Sequence, residues 1–66
     1  MIYNSENVKK FENLLIKIWF FDRGNRKHRI IGGINKINED SILFDVNNEN
    51  LIIKIKYNRI KYIMYK

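Results

Sequence analysis

LIKIWFFDRGNRKHRIIGGINKI, residues 15–37, is the stretch whose reading decides the fold. Its first part, Ile16 to Phe21, places Ile16, Ile18 and Phe20 on one face and Lys17, Trp19 and Phe21 on the other. The residue types are β-branched and aromatic, which suits a pleated strand. Both faces are largely apolar, so the strand is expected to be central or half-covered, with Trp19 a core or interface residue. Asp22-Arg23-Gly24-Asn25 is turn chemistry, and Gly24 or Asn25 is suited to a positive φ. Arg26-Lys27-His28-Arg29 then opens a second strand that continues to Ile37. The pair Gly32-Gly33 inside it marks a bulge, a sharp bend or a close backbone approach. Ile31 and Ile34 both face inward only if a bulge lies between them. The second arm is therefore expected to be strongly bent, which lets a small sheet fold over itself.

Working outward, residues 1–15 carry a helix signal. Asn4 or Ser5 is placed to cap, Glu6 sits in the first turn, and Val8, Phe11, Leu14 and Leu15 recur at helical spacing. The expectation is a short amphipathic α-helix covering the open end of a barrel, with Lys9 and Lys10 toward solvent. Downstream, Asn38-Glu39-Asp40-Ser41 is a turn, and Ile42 to Val46 alternates as a third strand. Asn47 to Asn50 is a polar turn. Leu51 to Tyr57 is a fourth strand with Leu51, Ile53 and Ile55 inward; Tyr57-Asn58-Arg59 interrupts it. Ile60 to Tyr65 is a fifth strand, with Ile60, Tyr62 and Met64 opposite Lys61, Ile63 and Tyr65. The fold class is mainly β: an N-terminal helix (1–15), then a strongly bent, five-stranded antiparallel barrel (16–65), in one domain.

Length sets a further condition. A chain of 66 residues buries only about 60% of the surface it exposes when unfolded. Small domains usually add a disulfide, a metal or a partner subunit. With no Cys and one His, His28, disulfides and the common zinc patterns are excluded, which leaves self-association. The lack of Cys fits a cytoplasmic protein. No apolar run approaches the ~18 residues of a membrane span, and no membrane partner is expected.

The net charge is +6, unevenly placed: Arg23 to Asn38 holds five Lys or Arg and no acid, and Asn50 to Lys66 repeats that balance. Segregated positive charge points to an anionic partner, nucleic acid first and an acidic protein surface second. Arg26, Lys27, His28 and Arg29 are four donors suited to phosphate, although an extended chain puts only alternate side chains on one surface. His28 is read as a surface or edge histidine without a carboxylate partner. The acids are scattered in turns, so no catalytic constellation emerges; the chain reads as a non-enzyme with no cofactor, no metal and no small-molecule substrate.

A helix followed by five short strands, the second bent at glycine, resembles the SH3-like small barrels, and within them the Sm/Lsm family of Hfq type. The residues that carry the likeness are Ile16 to Phe20, Asp22-Arg23-Gly24, Ile31-Gly32-Gly33-Ile34 and Ile37-Asn38 for the first motif. For the second they are Leu51 to Ile55, Tyr57-Asn58-Arg59 and Ile60 to Ile63. The chain departs from the Hfq pattern with Asn58 in place of His, Asn38 in place of an acid, and a longer, more basic first loop. The resemblance implies an Sm-like fold and a homo-oligomeric ring, a hexamer, with the fourth and fifth strands pairing across subunits. It also implies binding of single-stranded, U- or A-rich RNA and the role of an RNA chaperone. By position, Lys56, Tyr57, Asn58 and Arg59 would line a pore-side turn, with Tyr57 stacking, Asn58 on a base edge and Arg59 on phosphate. Asn38 and Asp40 would lie near the same pore, and Arg23, Arg26, Lys27 and Arg29 would form an outer basic patch. A second, looser resemblance is to the YolD-like group of bacterial and phage proteins, through Gly32 to Asn38 and Ile60 to Ile63. The alternative reading is a YolD-like or phage-encoded small basic barrel that binds a protein partner, as an inhibitor or interaction module.

Overall fold

The strand that follows the first turn is the longest and the pivot of the molecule. In the computed structural model, which describes residues 2–66, the strands are β1 (Ile16–Phe21), β2 (Lys27–Ile37), β3 (Ser41–Val46), β4 (Leu51–Lys56) and β5 (Ile60–Tyr65). They form one antiparallel sheet in the order β4-β3-β2-β1-β5. β2 serves two neighbours in succession: Lys27 to Gly32 pair with β1, and Gly32 to Ile37 pair with β3. Gly32 alone has a partner on both sides, opposite Ile16 and Val46. A Cβ at this position would meet the Asp45 carbonyl oxygen at 2.0 Å and the Asn47 nitrogen at 3.0 Å. Glycine is required because another backbone occupies the space where a side chain would be.

The expected bulge exists but lies further along. The register shifts between Ile34 and Lys36, so Asn35 is the extra residue of β2. This brings Ile34 and Ile37, not Ile31, onto the core side. A second irregularity corrects the alternation expected for the last strand. Trp19 pairs with Tyr62 and Phe20 with Ile60, leaving Lys61 outside the ladder. Ile60 and Ile63 are consequently both buried, while Lys61, Tyr62, Met64 and Tyr65 stay exposed. One extra residue changes which side chains reach the core.

The N-terminal α-helix expected over 1–15 is not formed; Met1 lies outside the described residues. Instead there is a 3-10 helix from Asn7 to Phe11. Asn4 and Asn7 start it by exchanging bonds: the Asn4 side-chain oxygen accepts the N–H groups of Glu6 and Asn7, and the Asn7 side-chain oxygen accepts the Asn4 N–H. Glu12 is already extended, with ψ 144°, and Asn13 turns the chain at φ 61°. Three turns of α-helix therefore have no room before β1. Val8 and Phe11 are buried as the spacing predicts, but Leu14 and Leu15 are left exposed. Lys9 and Lys10 face solvent.

The core gathers Val8 and Phe11 with Ile16, Ile18, Ile42, Phe44, Ile55, Ile60 and Ile63. Tyr3 joins them, its hydroxyl accepting the N–H of Ile63 at 2.8 Å. Each such buried aliphatic or aromatic side chain contributes roughly 1.5–3 kcal/mol. Val8 and Phe11 alone thus tie the N-terminal segment down without α-helical hydrogen bonding. Among the described residues, no helix is long and apolar enough to cross a membrane.

Candidate functional site

The turn after β1 is closed by Asp22. Its carboxylate accepts the backbone N–H groups of Gly24 at 2.8 Å and Arg26 at 3.0 Å, and its other oxygen lies 2.8 Å from His28 Nε2. Asn25 takes the positive φ, at 60°. The His28 ring stacks on Phe20, with centroids 5.2 Å apart. His28 therefore does have a carboxylate partner, six residues back, which corrects the reading of it as unpartnered. The hydrogen bond from His28, with the N–H of Arg26 next, holds the Asp22 carboxyl down to about 2 from its ordinary 3.8. The pair fastens the hairpin; neither serine of the chain, Ser5 or Ser41, is hydrogen-bonded to it.

The backbone of the same residue reaches across the molecule. The Arg59 guanidinium donates to the Asp22 carbonyl oxygen at 2.7 Å. Arg59 lies in a short 3-10 helix, Tyr57–Arg59, between β4 and β5. This contact brings the end of β1 against the end of β4 and frames a cleft of about 320 Å³. Its lining includes Arg23, Lys54, Lys56 and Arg59 together with Phe20, Phe21 and Asp22. Among the described residues, none of these four cations is in an ion pair with a carboxylate. Cations without a carboxylate partner beside aromatic side chains are suited to an anion that also carries a flat apolar part.

The structure regroups the residues expected from sequence. Lys56 and Arg59 line one cleft, and Arg23, expected in a separate outer patch, lines it with them. Lys54, Phe20 and Phe21 were not anticipated. Lys54 and Lys56 could be read as outward neighbours on one strand, but their closeness to Arg23 depends on the curl of the sheet. Arg26 and Lys27 stay on the exposed hairpin, while Arg29 sits opposite Trp19 on β2. Asn58 is exposed.

Tyr57 is 8% exposed and faces inward. Its hydroxyl donates to the Asn38 carbonyl oxygen at 2.7 Å, and its N–H to the Asp40 carbonyl oxygen at 3.1 Å. Asn38, Asp40 and Tyr57 are thus brought together, but as a joint between two turns within one chain. In this arrangement the Tyr57 ring offers no open face for stacking. Burial, with the nearby Asp40 carboxylate, raises the Tyr57 hydroxyl above its ordinary pKa of 10.0. The Ser41 hydroxyl, 3.0 Å from Asp40 Oδ1, lowers the Asp40 carboxyl, and Lys54 and Lys56 add to the effect.

Another groove, of about 690 Å³, runs beside Gly32 and Gly33, and its lining includes Asn35, Asn47, Asn48, Asn50, Asp45 and Glu49. No cation is among the residues that line it, so it lacks the charge to hold phosphate. Among the described residues, no group of three His, Cys, Asp or Glu side chains is placed to hold a metal ion. Comparisons of the chain with protein-family models, with curated proteins and with solved structures returned no match.

Proposed function

We propose that this chain is an Sm-like, Hfq-type RNA-binding protein: a small bent barrel that assembles into a homo-oligomeric ring of six and binds single-stranded, U- or A-rich RNA. The observation that carries the RNA reading is the cleft that Arg23, Lys54, Lys56 and Arg59 line together with Phe20 and Phe21. Arginine forks and lysine ammonium groups hold phosphate oxygens, while aromatic rings take bases without strong sequence preference. The ring is supported by the sheet order, in which β4 and β5 are the two edges. Unpaired edges template addition of another strand. Leu51 and Ile52 on β4, and Met64 and Tyr65 on β5, are all exposed near those edges. Head-to-tail pairing of β4 with a neighbour's β5 covers both edges, and a closed cyclic ring leaves none. In this reading the protein acts in the cytoplasm as an RNA chaperone.

The test is light scattering with and without oligo-U, followed by binding titrations over a range of salt. A ring predicts a mass near six times that of the 8.1 kDa chain, and a monomer overturns the ring. RNA binding through the cleft predicts an affinity that falls with salt at a logarithmic slope of about −0.7 per phosphate neutralised. Absence of RNA binding at low salt, together with tight binding to an acidic polypeptide, overturns the RNA reading in favour of a protein-binding module.

A further inference from the structure

We propose that a second surface, the outer face of β1 and β5, stacks the bases of single-stranded RNA on Trp19 and Tyr62 and leads the strand to the Arg59 cleft; this rests on the RNA reading above. Trp19 and Tyr62 face each other across the β1–β5 ladder, with ring centroids 4.8 Å apart and planes inclined by 27°. The core does not use them. The inward face of β1 is made by Ile16, Ile18 and Phe20, and Tyr62 is 44% exposed. The solvent side of an antiparallel sheet is ordinarily polar, so a stacked aromatic pair there is out of place unless something apolar and flat covers it.

The charge around the pair narrows what that occupant is. β1, β2 and β5 contain no Asp or Glu. Lys17 Nζ lies 5.8 Å from the Trp19 ring, and Arg29 is the Trp19 partner on β2. Acidic side chains alone would satisfy the cations but bring nothing flat to the rings. A single nucleic-acid strand uses both, since its phosphates meet Lys and Arg while its bases meet aromatic faces. Continuity with the cleft comes from Phe21, two residues beyond Trp19 on the same face and so about 6.6 Å along the strand. Phe21 also lines the cleft with Arg23 and Arg59. The stacking role that the buried Tyr57 cannot fill thus falls to Trp19 and Tyr62.

Trp19 is the sole tryptophan, so its fluorescence reports directly on this face. Oligo-U, oligo-A and polyglutamate are titrated into the full chain and into Tyr62→Ala, Tyr62→Phe, Lys17→Glu and Arg59→Glu. The expected result is quenching of Trp19 by the oligonucleotides but not by polyglutamate. Tyr62→Ala should weaken RNA binding by about fivefold or more, the size of a lost base stack, and Tyr62→Phe should restore it. Should Tyr62→Ala fail to fold, Lys17→Glu provides the same loss from the same face. If RNA binds in a manner weakened by Arg59→Glu, yet Trp19 is not quenched and Tyr62→Ala binds normally, the stacking surface is overturned while the cleft stands. If the unmodified chain binds no RNA, both fail. If polyglutamate quenches Trp19 as strongly as RNA does, the face takes a protein and the inference is overturned.

Discussion

Arg59 donates a 2.7 Å hydrogen bond to the backbone carbonyl of Asp22, 37 residues earlier in the chain. That bond joins the first hairpin to the turn before β5 and sets one wall of the basic cleft. Arg59→Ala removes the tie and a cation together. The expected cost is about 1.5 kcal/mol of stability, toward the low end for a hydrogen bond from a charged donor. Oligo-U affinity should fall as well, with a shallower salt dependence. Arg59→Lys should keep the salt dependence and lose the tie. Urea unfolding and salt-resolved titrations measure the two effects separately; an unchanged salt slope in Arg59→Ala would remove Arg59 from the site.

Tyr57→Phe distinguishes a structural tyrosine from a stacking one. The hydroxyl bond to the Asn38 carbonyl is lost while the ring remains. Stability should drop by about 1 kcal/mol, and RNA affinity should not change. Because the folded state holds the Tyr57 hydroxyl above its ordinary pKa, the stabilisation it contributes is complete below pH 10.0 and is lost as pH rises further. Alkaline unfolding followed by circular dichroism should therefore come at lower pH for the native chain than its loss of lysine charge alone would give, and Tyr57→Phe should remove that component.

The acid side depends on Asp22. A carboxyl held at about 2, against about 3.9 in an unfolded chain, contributes stability above pH ~4 that disappears as pH falls through its folded value. Asp22→Asn should be less stable at neutral pH and show a flatter loss of stability between those limits, leaving the smaller share from Asp40. Denaturant midpoints measured across that window decide the matter. An unchanged slope would mean that the Asp22–His28 clasp does not contribute to the acid response.

Gly32→Ala and Gly33→Ala should behave very differently. The new methyl at Gly32 meets backbone, the Asp45 carbonyl oxygen at 2.0 Å, whereas at Gly33 the nearest atom is the Leu14 carbonyl oxygen at 3.5 Å. Overpacking against backbone that cannot rotate away costs about 3 kcal/mol or more, so Gly32→Ala should be poorly folded at room temperature. Gly33→Ala should remain within about 1 kcal/mol of the native chain, as expected for a methyl in ordinary contact. Thermal unfolding of the two variants side by side tests the assignment of the close backbone approach to Gly32.

Strand existence was legible in the sequence because alternating apolar side chains, turn residues and a glycine pair are local signals. Ile16 to Phe21 and Ile60 to Tyr65 are strands as their patterns indicate. The helix expected at the N-terminus failed for a reason that pattern does not carry. Val8 and Phe11 are buried as helical spacing implies, but a single 3-10 turn already places them on the core, and Asn13 reverses the chain before another turn forms. The position of the β2 bulge, and the existence of the one in β5, were hidden for a similar reason. Asn35 and Lys61 fall out of register only because curved neighbouring strands must match over a bend.

For the site, the sequence by itself determined the inventory: unbalanced positive charge, aromatic residues beside it, and the absence of the cysteines that most small metal or redox sites need. What only the tertiary structure decided is which of those residues meet. Arg59 meets Arg23 because Phe20 pairs with Ile60 across the β1–β5 ladder, and Lys54 and Lys56 join them because the sheet curls until β4 lies beside the end of β1. Tyr57 turns inward because its hydroxyl finds the Asn38 carbonyl, and Trp19 meets Tyr62 because Lys61 is squeezed out of the ladder. Charge and composition are sums over the chain, readable in any order; contact depends on long-range pairing, which local pattern does not specify.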